Sequence, residues 1–142
     1  MFAQEYPSAS PAQAGESALD PESLLAAGKP LSYPLFAHLE RHSSLYRAIF
    51  AAEEQAAPLI MRMVDATSAS SRAMHAPLRA RSSVDVDADL IAAYLAGALI
   101  ASARMWLSRE PRASATEMAY WFSRMAAPGL LQVMGLEEML EG

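Results

Sequence analysis

Ala88 to Leu107 reads ADLIAAYLAGALIASARMWL, with Asp85, Asp87 and Asp89 gathered at its start. Acidic side chains suit a helix N-terminus, where unpaired amides and the macrodipole favour negative charge. The spacing predicts one long helix from about Ala88 to Arg109. On its wheel Leu90, Ile91, Tyr94, Leu95, Leu99, Ile100, Trp106 and Leu107 spread around most of the circumference. A helix apolar nearly all round is expected to be buried on several sides. Ala93, Gly97 and Ala101 form a row of small residues at intervals of four, where a second helix can approach closely. Gly97 costs about 1 kcal/mol of helix propensity against Ala, so a packing reason for it is expected.

Downstream, Ser114-Ala115-Thr116-Glu117 matches a capping box, in which Ser and Glu satisfy each other's amides. It opens a helix with the stripe Met118, Trp121, Phe122 and Met125. Pro128-Gly129 is expected to end that helix, and residues 130 to 140 to add a short terminal one. Upstream, Pro77 is expected to end the preceding segment, leaving Arg79 to Val86 as a loop. A helix starting near Pro58 puts Leu59, Ile60, Met63 and Val64 on one face. The same face continues into Thr67, Ser70, Ser71 and Met74, so its stripe turns polar halfway. Before it, Leu35 to Phe50 shows helical spacing interrupted at Ser43-Ser44, which is read as the cap of a helix from Leu45. Pro7, Pro11, Pro21, Pro30 and Pro34 make residues 7 to 34 a loose connector, with a possible short helix from Asp20-Pro21 to Ala27. No strand-like pattern or internal repeat stands out, and the fold class expected is all-α.

Composition excludes several functions. At 142 residues and 53% hydrophobic, the chain holds one core more readily than two. Net charge is -5, and ten arginines plus Lys29 are scattered, so no basic stripe is present to neutralise phosphates. With no Cys there is neither a disulfide framework nor a thiolate metal site, consistent with a cytoplasmic protein. The start, Met1 to Pro7, lacks the basic flank and apolar run of a secretory signal. The uncharged run Leu90 to Ala103 falls short of the roughly 20 residues that span a bilayer, so a soluble chain with no membrane partner is expected.

Leu95-Ala96-Gly97-Ala98-Leu99, Met105-Trp106-Leu107, Ser114 to Met118, Trp121-Phe122 and Ala127-Pro128-Gly129-Leu130 together resemble the C-terminal regulatory domain of TetR/AcrR-type transcription factors. His38 to His42 and Leu45 to Phe50 resemble an upstream helix and turn of the same family. The likeness runs over roughly residues 20 to 132, on apolar patterns rather than catalytic signatures. It implies a helical bundle whose last two long helices form a four-helix bundle with a second copy, around a small-molecule cavity. The sequence departs from the family plan in having no three-helix DNA reader before residue 35. Residues 1 to 33 then read as a linker or remnant of a connecting helix, partly irregular, and 34 to 142 as the helical regulatory domain. No DNA contact by this chain alone is expected, only through an N-terminal reader lost by trimming, a misplaced start codon or natural truncation.

From the residues and this resemblance follow two candidate sites. A pocket for a small, largely apolar effector is placed at Met63, Thr67, Ser70, Ser71, Met74, Tyr94 and Trp106, where adaptable and aromatic side chains meet hydroxyls. A homodimer interface is placed at Ala93, Gly97, Ile100, Ala101, Met118, Trp121, Phe122 and Met125, because one small domain cannot easily cover so much apolar surface. His38 and His42 stand four apart, a spacing that can bring two imidazoles to one metal, with Asp65 or His75 as further donors. The commoner role for that pair is a helix edge, and no metal or cofactor is expected. Glu53-Glu54 and Glu137-Glu138 are adjacent rather than facing, and no nucleophile elbow or phosphate loop occurs, so no enzyme is expected. The rivals are a helical metal protein or enzyme using His38 and His42, and a helix-bundle interaction module without ligand.

Overall fold

The computed structural model describes residues 29–141. The expected helix at Asp20 to Ala27 and most of the 1 to 33 connector lie outside the described residues. Within them the chain is all-α: six helices, two short 3-10 turns and no strand.

The first two helices, α1 (Tyr33–Arg41) and α2 (Ser43–Ala51), meet at His42. The second begins at Ser43, two residues before the expected Leu45, and no side chain caps it. A 3-10 turn, Glu53–Ala56, leads into α3 (Ala57–Met74), which carries Pro58 in its first turn as anticipated. Pro77 does not end the segment. It sits in the first turn of a short helix α4 (Ala76–Arg81), and the break falls at His75. A proline lacking its amide suits a first turn, so Pro77 starts a helix where the sequence reading had a loop from Arg79.

The long helix α5 (Ala88–Leu107) lies where the sequence predicts, with the Asp87 carboxylate accepting from the Leu90 amide at 3.0 Å. By length and composition it is also apolar enough to cross a bilayer, a property that core helices share. Eight of its side chains are buried inside the chain: Ala92, Leu95, Ala96, Leu99, Ile100, Ala103, Trp106 and Leu107. Packed along α5 is α3, while α1 packs across α6 (Ala115–Val133), and the two pairs share one core. At its centre the Phe36 ring meets Trp106 edge-on at 5.6 Å and Phe122 at 6.3 Å. The Trp106 Nε1–H donates to the Ala113 carbonyl at 2.8 Å, so this buried indole is satisfied.

Helix α6 starts with the complete capping box: the Glu117 amide donates to Ser114 Oγ at 3.1 Å, and the Ser114 amide to Glu117 Oε2 at 3.2 Å. Glu40 of α1 accepts from the Ala115 amide at 3.3 Å, tying the two helices through an amide that has no partner within α6. Pro128-Gly129 does not terminate α6, which continues to Val133 with Pro128 inside it. Terminating it instead is Gly135, at φ +69°: its amide donates to the Gln132 carbonyl, and the Leu136 amide to the Leu131 carbonyl at 2.8 Å. That is a Schellman motif, sealed by Leu131 and Leu136 in a second apolar cluster with Met134, against Leu78, Val86 and Ile91. Burying Leu131 and Met134 outweighs the amide lost at Pro128, so the helix runs on.

A Cβ at Gly135 would lie 2.8 Å from Ser83 Oγ and would have to occupy the left-handed region. Gly135→Ala is expected to destabilise the chain by about 1–2 kcal/mol from the backbone alone. Urea unfolding followed by circular dichroism checks this, and an unchanged midpoint would contradict the Schellman termination.

Candidate functional site

The seven residues expected to form an effector pocket differ in burial, and none of them lines either of two hollows on the chain's surface. Met63 is partly buried against the main core, while Thr67 and Met74 are partly buried along α3. Ser70 is exposed, whereas Ser71 is buried, with its Oγ 3.3 Å from His75 Nδ1. Tyr94 is 74% exposed and Trp106 only 1%, so they face different sides of α5. The wheel had allowed both to face one ligand, because an apolar residue occupied nearly every direction. In the folded chain Trp106 lies in the core and Tyr94 meets water.

One hollow is a groove between the end of α2, the first half of α3 and the second half of α5. Its floor and walls are Phe50, Ile60, Val64, Gly97, Ile100 and Ala101, and Arg104, Met105 and Ser108 stand at one end. Its volume is about 640 Å³, within the range typical of small-molecule sites. None of the seven expected residues lines it. Nor do they line a smaller hollow of about 370 Å³ beside α6, between Pro30, Tyr120, Ser123, Arg124 and Leu140. Gly97 shapes the first groove: no atom lies within 4 Å of where its Cβ would be, so its glycine serves no close contact within the chain. Arg104 is the one charged residue between Leu90 and Leu107, a signal the sequence reading passed over. Its guanidinium is 4.0 Å from Glu53 Oε1, and both side chains are more than half exposed. Glu53 itself holds φ +49°, the left-handed region that a residue with a Cβ occupies at some cost.

The expected interface divides in two. Ile100 and Phe122 are buried in the chain's own core, and Met118 is partly buried against it. Ala93, Gly97, Ala101, Trp121 and Met125 are exposed. They are joined by Leu90, Tyr94 and Met105 on α5 and by Tyr120 on α6. Trp121, at 56%, and Met125, at 71%, are far more open than apolar side chains of that size normally are. Arg124 lies 5.7 Å from the ring centroids of both Tyr120 and Trp121. The shelter expected for α5 is thus complete on its inner side, and the opposite side is open in the single chain.

Comparison with protein-family models, with curated proteins and with solved structures finds no match.

The rings of His38 and His42 are 4.8 Å apart, but His38 Nε2 is hydrogen-bonded to the Tyr46 hydroxyl at 2.8 Å. Among the described residues no three His, Asp or Glu side chains converge as a metal site. Burial first, and then the neighbouring His42 and Arg41, press the His38 pKa below 6.5. His75 is also lowered, chiefly by burial, with a hydrogen bond to Ser71 opposing and Arg79 adding to the shift. Both imidazoles bind protons more readily in the unfolded chain, so their contribution favours folding above pH 6.5 and is lost as pH falls through the lower folded pKa values. The unfolding midpoint is expected to drop between pH 7.5 and 5, and His75→Gln to flatten part of that slope. A slope identical in wild type and variant would contradict a half-buried His75 held neutral.

Proposed function

We propose that this chain is the effector-sensing and homodimerisation domain of a TetR-like transcriptional regulator, binding a small, largely apolar ligand. The observation that carries the reading is the exposure of large apolar side chains on each of the last two long helices: Leu90, Tyr94 and Met105 on α5, Trp121 and Met125 on α6. Water meets large apolar side chains on both helices, and burying them against an identical surface removes that cost on two chains at once. The composition of the patch also favours association, since Trp, Tyr and Arg dominate the energetics of protein interfaces. Two helices from each copy make the four-helix arrangement that the sequence resemblance implies.

The groove between α2, α3 and α5 supplies the sensing half of the proposal. The sensing site is placed there rather than at the seven residues expected from sequence, and the groove shares Gly97 and Ala101 with the proposed dimer surface. A ligand that fits the groove better in one inter-subunit geometry shifts the population toward it, by its difference in affinity for the two. In a complete regulator that shift changes the spacing of two DNA readers, which this chain would meet only through an attached domain. Nothing in the geometry favours the metal-protein reading over this one.

Native mass spectrometry with sedimentation velocity at micromolar concentration tests the proposal. A species of twice 15.3 kDa is expected. A clean 15.3 kDa monomer across that range overturns it.

A further inference from the structure

We propose that the groove between α2, α3 and α5 takes an amphipathic monocarboxylate, its apolar body lying on Ile60, Val64, Gly97 and Ile100 and its carboxylate on Arg104. The inference rests on the effector-sensing reading and names the chemical class of the effector. Three observations lead to it.

The groove is walled by aliphatic and aromatic side chains along its length and has a cation at one end only. An apolar occupant without charge would make no use of the Arg104 guanidinium, which would stay with water and Glu53. A dianion or phosphate would find one arginine, already beside Glu53, too little positive charge to hold it. A single carboxylate matches a single guanidinium, and the fork of the guanidinium suits its two oxygens.

Arg104 is already addressed by a carboxylate, at long range. Glu53 Oε1 stands 4.0 Å from Arg104 Nη2, the outer limit of an ion pair, and the two side chains are 73% and 57% exposed. The contact is loose enough for another carboxylate to displace. Glu53 sits at φ +49° in the turn that joins α2 to α3. It is the competing anion at the mouth of the groove.

Gly97 keeps the floor open. Its Cβ position meets nothing within 4 Å, so the space is not required by packing inside the chain. A glycine here loses about 1 kcal/mol of helix propensity without an intrachain contact to explain it. The open space leaves room for a ligand chain resting along α5, beside the proposed dimer surface.

The test is isothermal calorimetry on the full chain with decanoate and with 1-decanol, the same apolar body lacking the charge. Decanoate is expected to bind more tightly than decanol. Arg104→Gln is expected to weaken decanoate about ten-fold or more while leaving decanol unchanged, and Arg104→Lys to fall between. Glu53→Gln, which removes the competing carboxylate, is expected to strengthen decanoate a few-fold, an effect that general loss of structure cannot produce. Circular dichroism confirms that each variant is folded, and the exposure of both side chains keeps the cost of replacing them low. Equal decanoate affinity in wild type and Arg104→Gln, or no binding of decanoate at all, overturns the proposal. The same samples are weighed by sedimentation. A dimer that ignores decanoate sinks the ligand class and leaves the dimer reading standing. A monomer that binds decanoate through Arg104 supports the site and sinks the dimer.

Discussion

Trp106→Ala is expected to destabilise the chain by about 3–5 kcal/mol, the usual range for removing a buried tryptophan. Trp106 is 1% exposed and packs edge-on against Phe36. Its loss opens a cavity where α1, α5 and α6 share their core, so the surrounding helices cannot collapse into it without breaking their contacts with one another. A small domain has only about 5–15 kcal/mol of stability in total, so the variant is expected to be partly unfolded at physiological temperature. Trp106→Phe separates packing from hydrogen bonding. It keeps most of the ring volume and loses the donor to the Ala113 carbonyl, with an expected cost of about 1–3 kcal/mol. Urea unfolding at one fixed protein concentration measures both, since association would make the midpoint depend on concentration. A Trp106→Ala loss under 1 kcal/mol would show that the core is not centred on this residue.

The double variant Tyr94→Glu with Trp121→Glu is expected to convert the proposed dimer into a folded monomer. Each residue is more than half exposed in the single chain, so a carboxylate there meets water and costs the monomer little, within about 0.5 kcal/mol. In a twofold interface every substitution acts twice, and a buried carboxylate without a partner is expensive to desolvate. Aromatic anchors at interface centres typically contribute 2 kcal/mol or more apiece. The dimer dissociation constant is therefore expected to rise about a thousand-fold or more. Sedimentation velocity reads the change in mass, and circular dichroism the retained helix content. The result that counts against the interface is a double variant that still sediments as the wild type does. A variant that unfolds instead would place the two side chains inside a core, contrary to their exposure.

Arg124 offers a gentler probe of the same patch. It lies over the rings of Tyr120 and Trp121 and donates to the Tyr120 hydroxyl at 3.3 Å, holding two exposed aromatic side chains in one arrangement. Preorganised aromatic side chains lose less rotamer freedom on association than loose ones.

Local signals settled much of the chain. Asp87 ahead of an apolar run, Ser114 with Glu117, and Pro58 in a first turn each act over one helical turn, so the residues themselves place the starts of α5, α6 and α3. The all-α class follows from the same periodicities. Helix ends were harder to place. Pro128-Gly129 carries the composition of a terminator, yet α6 passes through it. Leu131, Met134 and Leu136 reach a second cluster made with Leu78, Val86 and Ile91, 40 to 58 residues earlier in the chain, and no local pattern contains that contact. Gly135, the true terminator, stood in view between Met134 and Leu136.

The faces of α5 were decided by tertiary structure alone. A wheel with apolar side chains in nearly every direction carries no information about which side turns inward, so Tyr94 and Trp106 looked equivalent from sequence. Packing of α3 along α5, together with the meeting of Phe36 and Trp106, buries Trp106 and leaves Tyr94 in water. The groove at Gly97 and Arg104 arises from the same choice. It belongs to no single segment, because it is the space left over where α2, α3 and α5 come together. Amino-acid order dictates where the backbone coils, through contacts a few residues apart. Which surfaces those coils hide, and which they leave to a ligand or a second copy, depends on side chains that only the folded chain brings together.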